Sequence, residues 1–172
     1  MKDLVMPYTE SGITLDLSGL DYFCFENCKG YQKLSAHHFK EMDIGWYNVE
    51  EDTLYLVELK YFTGKNMTDS ADQIIRDLVK KSIDSISMII AVKAGTHYSA
   101  SIHSCLPSSF KVRSSSIKLI HIINCTPEKE SYIPFIRDKF QERFKAYKTL
   151  FDIQHCTVVS LRSAQKFFAQ IQ

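Results

Sequence analysis

The chain has 172 residues, 45% of them apolar and 24% charged, with a formal net charge of +1. This length and composition are typical of one folded globular domain and exclude a disordered chain. The near-neutral charge neither requires nor excludes a nucleic-acid partner. Any phosphate-binding surface must therefore come from local clusters of cations.

The N-terminal segment MKDLVMPYTE has no apolar signal core, and no apolar run approaches the ~20 residues that span a bilayer. The sequence thus predicts no membrane partner. Five cysteines, odd in number and without CxxC spacing, argue against a disulfide framework and favour a reducing, cytoplasmic location. They are Cys24, Cys28, Cys105, Cys125 and Cys156.

The first elements in chain order are short. Apolar and polar residues alternate over residues 13–17, which predicts a strand. After a break at Gly30, a helical segment is compatible with residues 34–39. Residues 42–49 and 53–59 are both strand-like and are separated by a polar turn, so the pair is predicted to form a hairpin.

A long amphipathic helix is predicted next, from a cap at Thr68 or Ser70 to about Lys93, where Gly95 ends it. The remaining predicted elements are a loop at 96–115, a strand at 117–123, a helix at 132–150, a strand at 156–161 and a helix at 163–170. Such alternation favours an α/β sheet with helices on its faces in one domain spanning residues 1–172.

Two carboxylates and a lysine stand out on the predicted hairpin. Asp43 begins its first strand, and Glu58 and Lys60 lie near the end of the second. Side chains in a strand alternate between faces, so Glu58 and Lys60 share one face and Leu59 takes the other. Carboxylates are the hard oxygen ligands that Mg²⁺ or Mn²⁺ prefers, and a nearby lysine can orient water or stabilise a charged transition state.

The segment MDIGWYNVEEDTLYLVELK resembles the core of the PD-(D/E)xK nuclease superfamily. The resemblance implies a restriction endonuclease-like three-layer core, with a central mixed sheet flanked by helices, over about residues 20–125, and a C-terminal α/β extension at 126–172. It implies that Asp43, Glu58 and the Leu59 carbonyl hold Mg²⁺ or Mn²⁺ and that Lys60 is catalytic. Met42 stands where the family motif has proline.

The same resemblance suggests accessory residues. Some members add an acidic residue before the aspartate strand, for which Glu26 is the better candidate and Glu41 the alternative. Gln73, early in the long helix, matches a glutamine of several branches. His37 is a weaker candidate, since some RNA-cleaving members use a histidine ligand. Surface roles are the alternative for all of them.

Cations outside the motif can contact a phosphate backbone. Lys65 follows the second hairpin strand, and Arg137 and Lys145 lie on the predicted helix 132–150, where a merely solvated face is the alternative. His97, His103 and Cys105 resemble zinc ligands, but the sequence offers no fourth ligand and a loop is the favoured interpretation.

Three functions remain open. The first is a metal-dependent nuclease that hydrolyses phosphodiester bonds, with DNA favoured over RNA, in a prokaryotic defence, repair or mobile-element setting expected from the family. The second is a catalytically inactive protein of the same fold that binds, assembles or inhibits. The third is an RNA nuclease, although no aromatic RNA-binding motif supports it. A homodimer or a partner protein is compatible with each.

Overall fold

A computed structural model describes residues 7–62 and 67–172, with the side chains of 67–70 left aside. Its strands are β1 (Tyr8–Glu10), β2 (Ile13–Leu15), β3 (Tyr22–Phe23), β4 (Ile44–Asn48), β5 (Thr53–Phe62), β6 (Ser116–Cys125) and β7 (His155–Ser160). Its α-helices are α1 (Lys29–Ser35), α2 (Met67–Ala94), α3 (Ala100–His103), α4 (Ile133–Leu150) and α5 (Leu161–Ala164). Short 3₁₀ helices occupy Phe25–Asn27, His97–Ser99 and Pro127–Tyr132.

Five strands form a mixed sheet in the order β3-β4-β5-β6-β7. The first three pair antiparallel, whereas β5, β6 and β7 pair parallel. A parallel connection needs a crossover, which α2 provides between β5 and β6, and α4 between β6 and β7. The mixed α/β class expected from the sequence is confirmed at this level.

The two faces of the sheet are covered differently. Helices α1 to α4 contribute to the larger apolar core, which contains Tyr31, Leu78, Ile102 and Phe140. The opposite face is covered by the β1–β2 hairpin and the C-terminal segment, and its core includes Leu59. The helices therefore lie mainly on one face, and a hairpin does much of the covering on the other.

The long helix α2 follows the expected pattern. Its buried residues Leu78, Ile86 and Ile89 recur at helical spacing on the side that packs against the sheet. Gly95 follows its end with φ of +66°, a left-handed conformation that glycine adopts without steric cost. The capping side chains proposed at Thr68 and Ser70 lie outside the described side chains.

The expected break at Gly30 is wrong, because Gly30 lies in the first turn of α1. A Cβ there would stand 2.8 Å from the backbone carbonyl carbon of Ser101. Glycine thus allows α1 to approach the segment that holds α3. The helix expected at 34–39 instead ends at Ser35.

Two further boundaries differ from expectation. The predicted loop at 96–115 contains α3, where Ile102 is buried against the main core. The C-terminal helix expected at 163–170 ends at Ala164. The chain leaves the helical path because Ile171 must bridge Leu15 in β2, a tertiary contact that overrides local propensity.

One disulfide is present, although the odd number and the spacing of the cysteines argued against a disulfide framework. Cys28, at the start of α1, is bonded to Cys105, which follows α3, with the Cα atoms 5.6 Å apart. The two positions are 77 residues apart, so no local spacing indicated the bond. Separately, within residues 7–62 and 67–172 no helix is long and apolar enough to span a membrane.

Candidate active site

The β4–β5 hairpin brings Asp43 and Glu58 together. Asp43 directly precedes β4, and the pairing of Ile44 with Val57 places it beside Glu58. The Leu59 backbone N–H donates to Asp43 Oδ2 over 2.7 Å, which holds that carboxylate against the strand. The alternation of strand side chains puts Leu59 in the core of the opposite face, as the sequence predicts.

An unexpected lysine joins the two carboxylates. Lys81, from the middle of α2, places its Nζ 3.2 Å from Asp43 Oδ1 and 2.7 Å from Glu58 Oε1. Its side chain is 19% exposed and that of Glu58 only 1%. Both carboxylates therefore converge on one cation in a largely buried setting, where charge interactions are strong.

The burial of Glu58 dominates its chemistry. Desolvation, together with the negative charge of Asp43, raises the pKa of Glu58 to about 8, against the opposing effect of Lys81. Burial by itself disfavours the charged form of Lys81, yet Glu58 and Asp43 raise the pKa of this lysine. A buried acid with a displaced pKa beside a specific charge partner is a feature of functional sites.

Lys60 belongs to a second, more exposed cluster on the same face of β5. Its Nζ lies 3.7 Å from Asp77 Oδ2 on α2. The other oxygen of Asp77 accepts from Lys40 Nζ at 3.2 Å and from Gln73 Nε2 at 3.1 Å. The structure therefore connects Gln73 with Lys60 through Asp77.

The Leu59 carbonyl, expected as a metal ligand, points to the same side of β5 as the Leu59 N–H that meets Asp43. It accepts a hydrogen bond from the Ser11 hydroxyl at 3.0 Å. Ser11 lies in the turn of the β1–β2 hairpin, and its own carbonyl accepts from Asn124 Nδ2 at 3.1 Å. The Ser11 hydroxyl thus takes one of the two acceptor positions of this carbonyl oxygen.

Additional acidic groups surround Asp43. Burial and the charges of Glu26 and Asp43 raise the pKa of Cys24 to about 11. Burial also raises the pKa of Glu41, with a smaller contribution from the same two carboxylates. Tyr31 donates its hydroxyl hydrogen to Glu41. Glu26 and Glu41 thus lie within electrostatic range of Asp43, which keeps both as candidates for an accessory acid.

His121 on β6 is the cross-strand neighbour of Glu58. It is fully buried, and its Nε2 lies 3.1 Å from the Ser82 hydroxyl, which itself donates to the Leu78 carbonyl. Its Nε2 is therefore the donor to Ser82, and Nδ1 has no hydrogen-bond partner within the described protein. Burial, reinforced by Lys81, lowers the pKa of His121 to about 3, so this ring is neutral near pH 7.

The remaining candidate site residues either lie apart from Asp43 and Glu58 or fall outside the residues that the structure describes. His37 is exposed in the turn after α1. Arg137 pairs with Asp138 on α4, and Lys145 borders a groove beside β7. Lys65 lies outside the described residues.

The three residues considered as zinc ligands have different environments. Cys105 is committed to the disulfide with Cys28. His97 lies in the 3₁₀ helix before α3 and His103 at the end of α3, where both are exposed. A bonded sulfur provides no thiolate for zinc.

The donor set at Asp43 and Glu58 suits a hard divalent cation in its chemistry. Over the described part of the chain, no group of three or more His, Cys, Asp or Glu side chains is arranged as a metal-holding cluster. The Lys81 ammonium takes the position between the two carboxylates. A divalent cation would have to share or displace that contact.

Sequence reasoning missed Lys81, Asp77 and Ser11. The only signal for Lys81 was its place at the border of the buried stripe of α2, three residues after Leu78. The adjacent Lys80 pairs with Asp84 instead, at 2.7 Å. A one-residue difference on a helix is 100° of rotation, which the sequence pattern did not resolve.

The chain was also compared with known proteins. No family model matches it, and neither a curated protein nor a solved structure does.

Proposed function

We propose that this chain is a Mg²⁺- or Mn²⁺-dependent nuclease of the restriction endonuclease-like fold that hydrolyses phosphodiester bonds, with DNA as the favoured substrate. The observation that carries this proposal is the convergence of Asp43 and Glu58 on a single cation, Lys81 Nζ, at 3.2 and 2.7 Å. Because both carboxylates contact the same ammonium group, they mark a position where positive charge is stabilised. The order of hairpin, helix and parallel strand is compatible with the proposed fold.

Each residue then has a distinct task. Asp43, Glu58 and the Leu59 carbonyl would hold the metal ion. A bound divalent cation supplies charge neutralisation at the phosphate and a more acidic water. Lys60, 30% exposed and on the same face as Glu58, orients the attacking water or stabilises the developing negative charge. Lys81 holds the two carboxylates in place before the metal ion enters.

The proposal is tested by incubating single- and double-stranded DNA, and RNA, with the protein and Mg²⁺ or Mn²⁺. The wild type is expected to cleave DNA, and Asp43→Asn and Glu58→Gln to lose activity by about 10²- to 10³-fold, as for loss of a dominant electrostatic group. Glu50→Gln, in the exposed turn between β4 and β5, is the matched control and should retain full activity. Equal cleavage by all four proteins would disprove the assignment.

A second candidate function is a binding or inhibitory protein without catalysis. Its supporting observation is that Lys81 already contacts both carboxylates, while Glu58 is almost inaccessible to solvent. Under this alternative, calorimetry detects no Mn²⁺ binding to the wild type, whereas Lys81→Met frees the carboxylates and binds it. Under the nuclease proposal, both proteins bind Mn²⁺, and the variant binds more tightly.

A further inference from the structure

The two edges of the five-stranded sheet are unequal. β3 forms one edge and is two residues long, whereas β7 forms the other and is six residues long. Among the described strands, β7 pairs with β6 alone. Six residues in a strand extend for about 20 Å, which is long enough to accept another strand.

The β7 edge lacks the features that prevent strand addition. Proteins usually protect an edge with lysine, proline, a bulge or a very short strand. The β7 sequence, HCTVVS, contains no residue of fixed charge and no proline, and it pairs with β6 in unbroken register from His155 to Ser160. Thr157, Val158 and Val159 are β-branched residues, which favour strands. The edge is therefore suited to pair with a further strand.

A groove of about 500 Å³ runs beside this edge, between β7 and α4. Its floor includes Phe140, Phe144 and Cys156. A second depression, of about 420 Å³, borders the opposite face of the same strand and includes Thr157 and Phe168. Additional contact area on both sides of the edge is needed because a stable interface buries about 800 Å² per partner, more than one strand edge provides.

The charges of α4 along the groove are divided by sign. Asp138 and Glu142, which also pair with Arg137 and Lys139 of the same helix, line its N-terminal part, whereas Lys145 and Lys148 line its C-terminal part. In a pair of chains related by a twofold axis, antiparallel contact between two β7 strands also sets two α4 helices antiparallel on one face of the sheet. The basic end of each helix then faces the acidic end of the other, so the surface is complementary to itself.

We propose that the β7 edge and the adjacent acidic and basic parts of α4 form a twofold-symmetric interface with a second copy of this chain. The two β7 strands pair antiparallel and join two five-stranded sheets into one. This interface involves neither Asp43 nor Glu58, and it stands or fails independently of any nuclease activity.

Charge reversal tests the pairing directly. Sedimentation equilibrium of the wild type at about 50 μM, well above a micromolar Kd, should give a dimer. The variant Asp138→Lys/Glu142→Lys has a wholly basic α4 face and Lys145→Glu/Lys148→Glu a wholly acidic one, so each should be monomeric. An equimolar mixture of the two should dimerise, because the opposite faces then meet.

A second variant tests the strand itself. Thr157→Lys introduces an edge lysine on β7 and should reduce dimer formation at least about tenfold, and mixing with either charge variant should not restore it. Lys29→Glu/Lys33→Glu, on α1, makes the same charge change as the acidic variant and should remain dimeric. Circular dichroism establishes that each variant is folded. A monomeric wild type, or charge variants that fail to combine when mixed, would overturn the proposal.

Discussion

Two lysine–carboxylate clusters lie side by side between β5 and α2, and they differ in burial. Lys81 contacts Asp43 and Glu58 in a setting where Glu58 is 1% exposed. Lys60 is 30% exposed and lies 3.7 Å from Asp77, which it shares with Lys40. Removing one partner of a buried ion pair leaves an uncompensated charge, whereas solvent screens an exposed pair.

The difference assigns separate roles to the two lysines. Lys81 contacts a Glu58 that is almost wholly buried, so in the metal-free protein its main contribution is to the stability of the folded site. Lys60 has a weak, shared partner and retains access to solvent, so its ammonium is available to a substrate. A motif in the sequence pointed to Lys60, but only the packed structure showed that a second lysine fills the position between the carboxylates.

The largest expected effect is on catalysis at Lys60. Lys60→Met should lower the DNA cleavage rate by about 10²- to 10⁴-fold, the usual contribution of a positioned acid–base group. Its free energy of unfolding should change by less than about 1 kcal/mol, because the pair with Asp77 is partly exposed. Gel-based cleavage and urea unfolding measure the two quantities. If Lys60→Met cleaves normally while Lys81→Met does not, the assigned roles are reversed.

The next effect is on stability at Lys81. At pH 9, above the pKa of about 8 of Glu58, Lys81→Met should lower the free energy of unfolding by about 3–5 kcal/mol, since it leaves Asp43 and the buried Glu58 without their cation. Urea unfolding measures this loss. Adding Glu58→Gln to the same chain should recover much of it, because the buried charge is then removed.

The matched control for this prediction is Lys80→Met, one residue earlier on α2. Lys80 is 44% exposed and pairs with Asp84, whose buried carboxylate also accepts from the Lys40 backbone N–H, so the loss of Lys80 should cost no more than about 1 kcal/mol. Similar losses in Lys80→Met and Lys81→Met would contradict the distinction between a buried and an exposed cluster.

A smaller effect is expected on the pH dependence of stability, through the buried His121. His121 has its pKa lowered from 6.5 to about 3 by burial, so it stays neutral in the folded state where the unfolded chain takes up a proton. Above pH 6.5 this histidine is neutral in both states and does not affect stability, whereas between pH 6.5 and 3 only the unfolded chain gains from protonation, so the folded state loses stability as the pH falls. At pH 5 the loss should reach about 2 kcal/mol relative to pH 8.

Urea unfolding of the wild type and His121→Asn at both pH values isolates this contribution. The raised pKa of Glu58 acts in the opposite direction in both proteins, so the difference between them is the measure: on acidification the change in stability should be about 2 kcal/mol less favourable in the wild type than in the variant. Identical pH profiles would show that His121 is not held neutral by the fold. The Lys81→Met background should weaken the effect, since the Lys81 charge contributes to the low pKa of His121.

The smallest effect is expected at Asp77. Asp77→Asn removes the carboxylate shared by Lys60 and Lys40 and should change stability by less than about 1 kcal/mol. Without this partner, Lys60 is less constrained, so cleavage should change by only a few-fold. Steady-state kinetics, giving kcat and KM, measure the change. A loss as large as that of Lys60→Met would show that Asp77 positions Lys60.

The sequence by itself determined the features that depend on neighbouring residues. Strand alternation put Glu58 and Lys60 on one face and Leu59 on the other, and the hairpin between residues 42 and 59 placed Asp43 beside Glu58. The apolar stripe of α2 and the strand at 117–123 also follow from local periodicity. Short-range patterns repeat within a few residues, so they can be interpreted without knowledge of the rest of the chain.

The tertiary structure alone decided the contacts between distant segments. The packing of α2 against the sheet turned Lys81, and not Lys80, towards the carboxylates, 23 residues along the chain from Glu58. The same holds for Gly30 against Ser101 and for the Cys28–Cys105 bond. These outcomes depend on how whole elements rotate and pack to fill a common core, and a local pattern carries no record of that rotation.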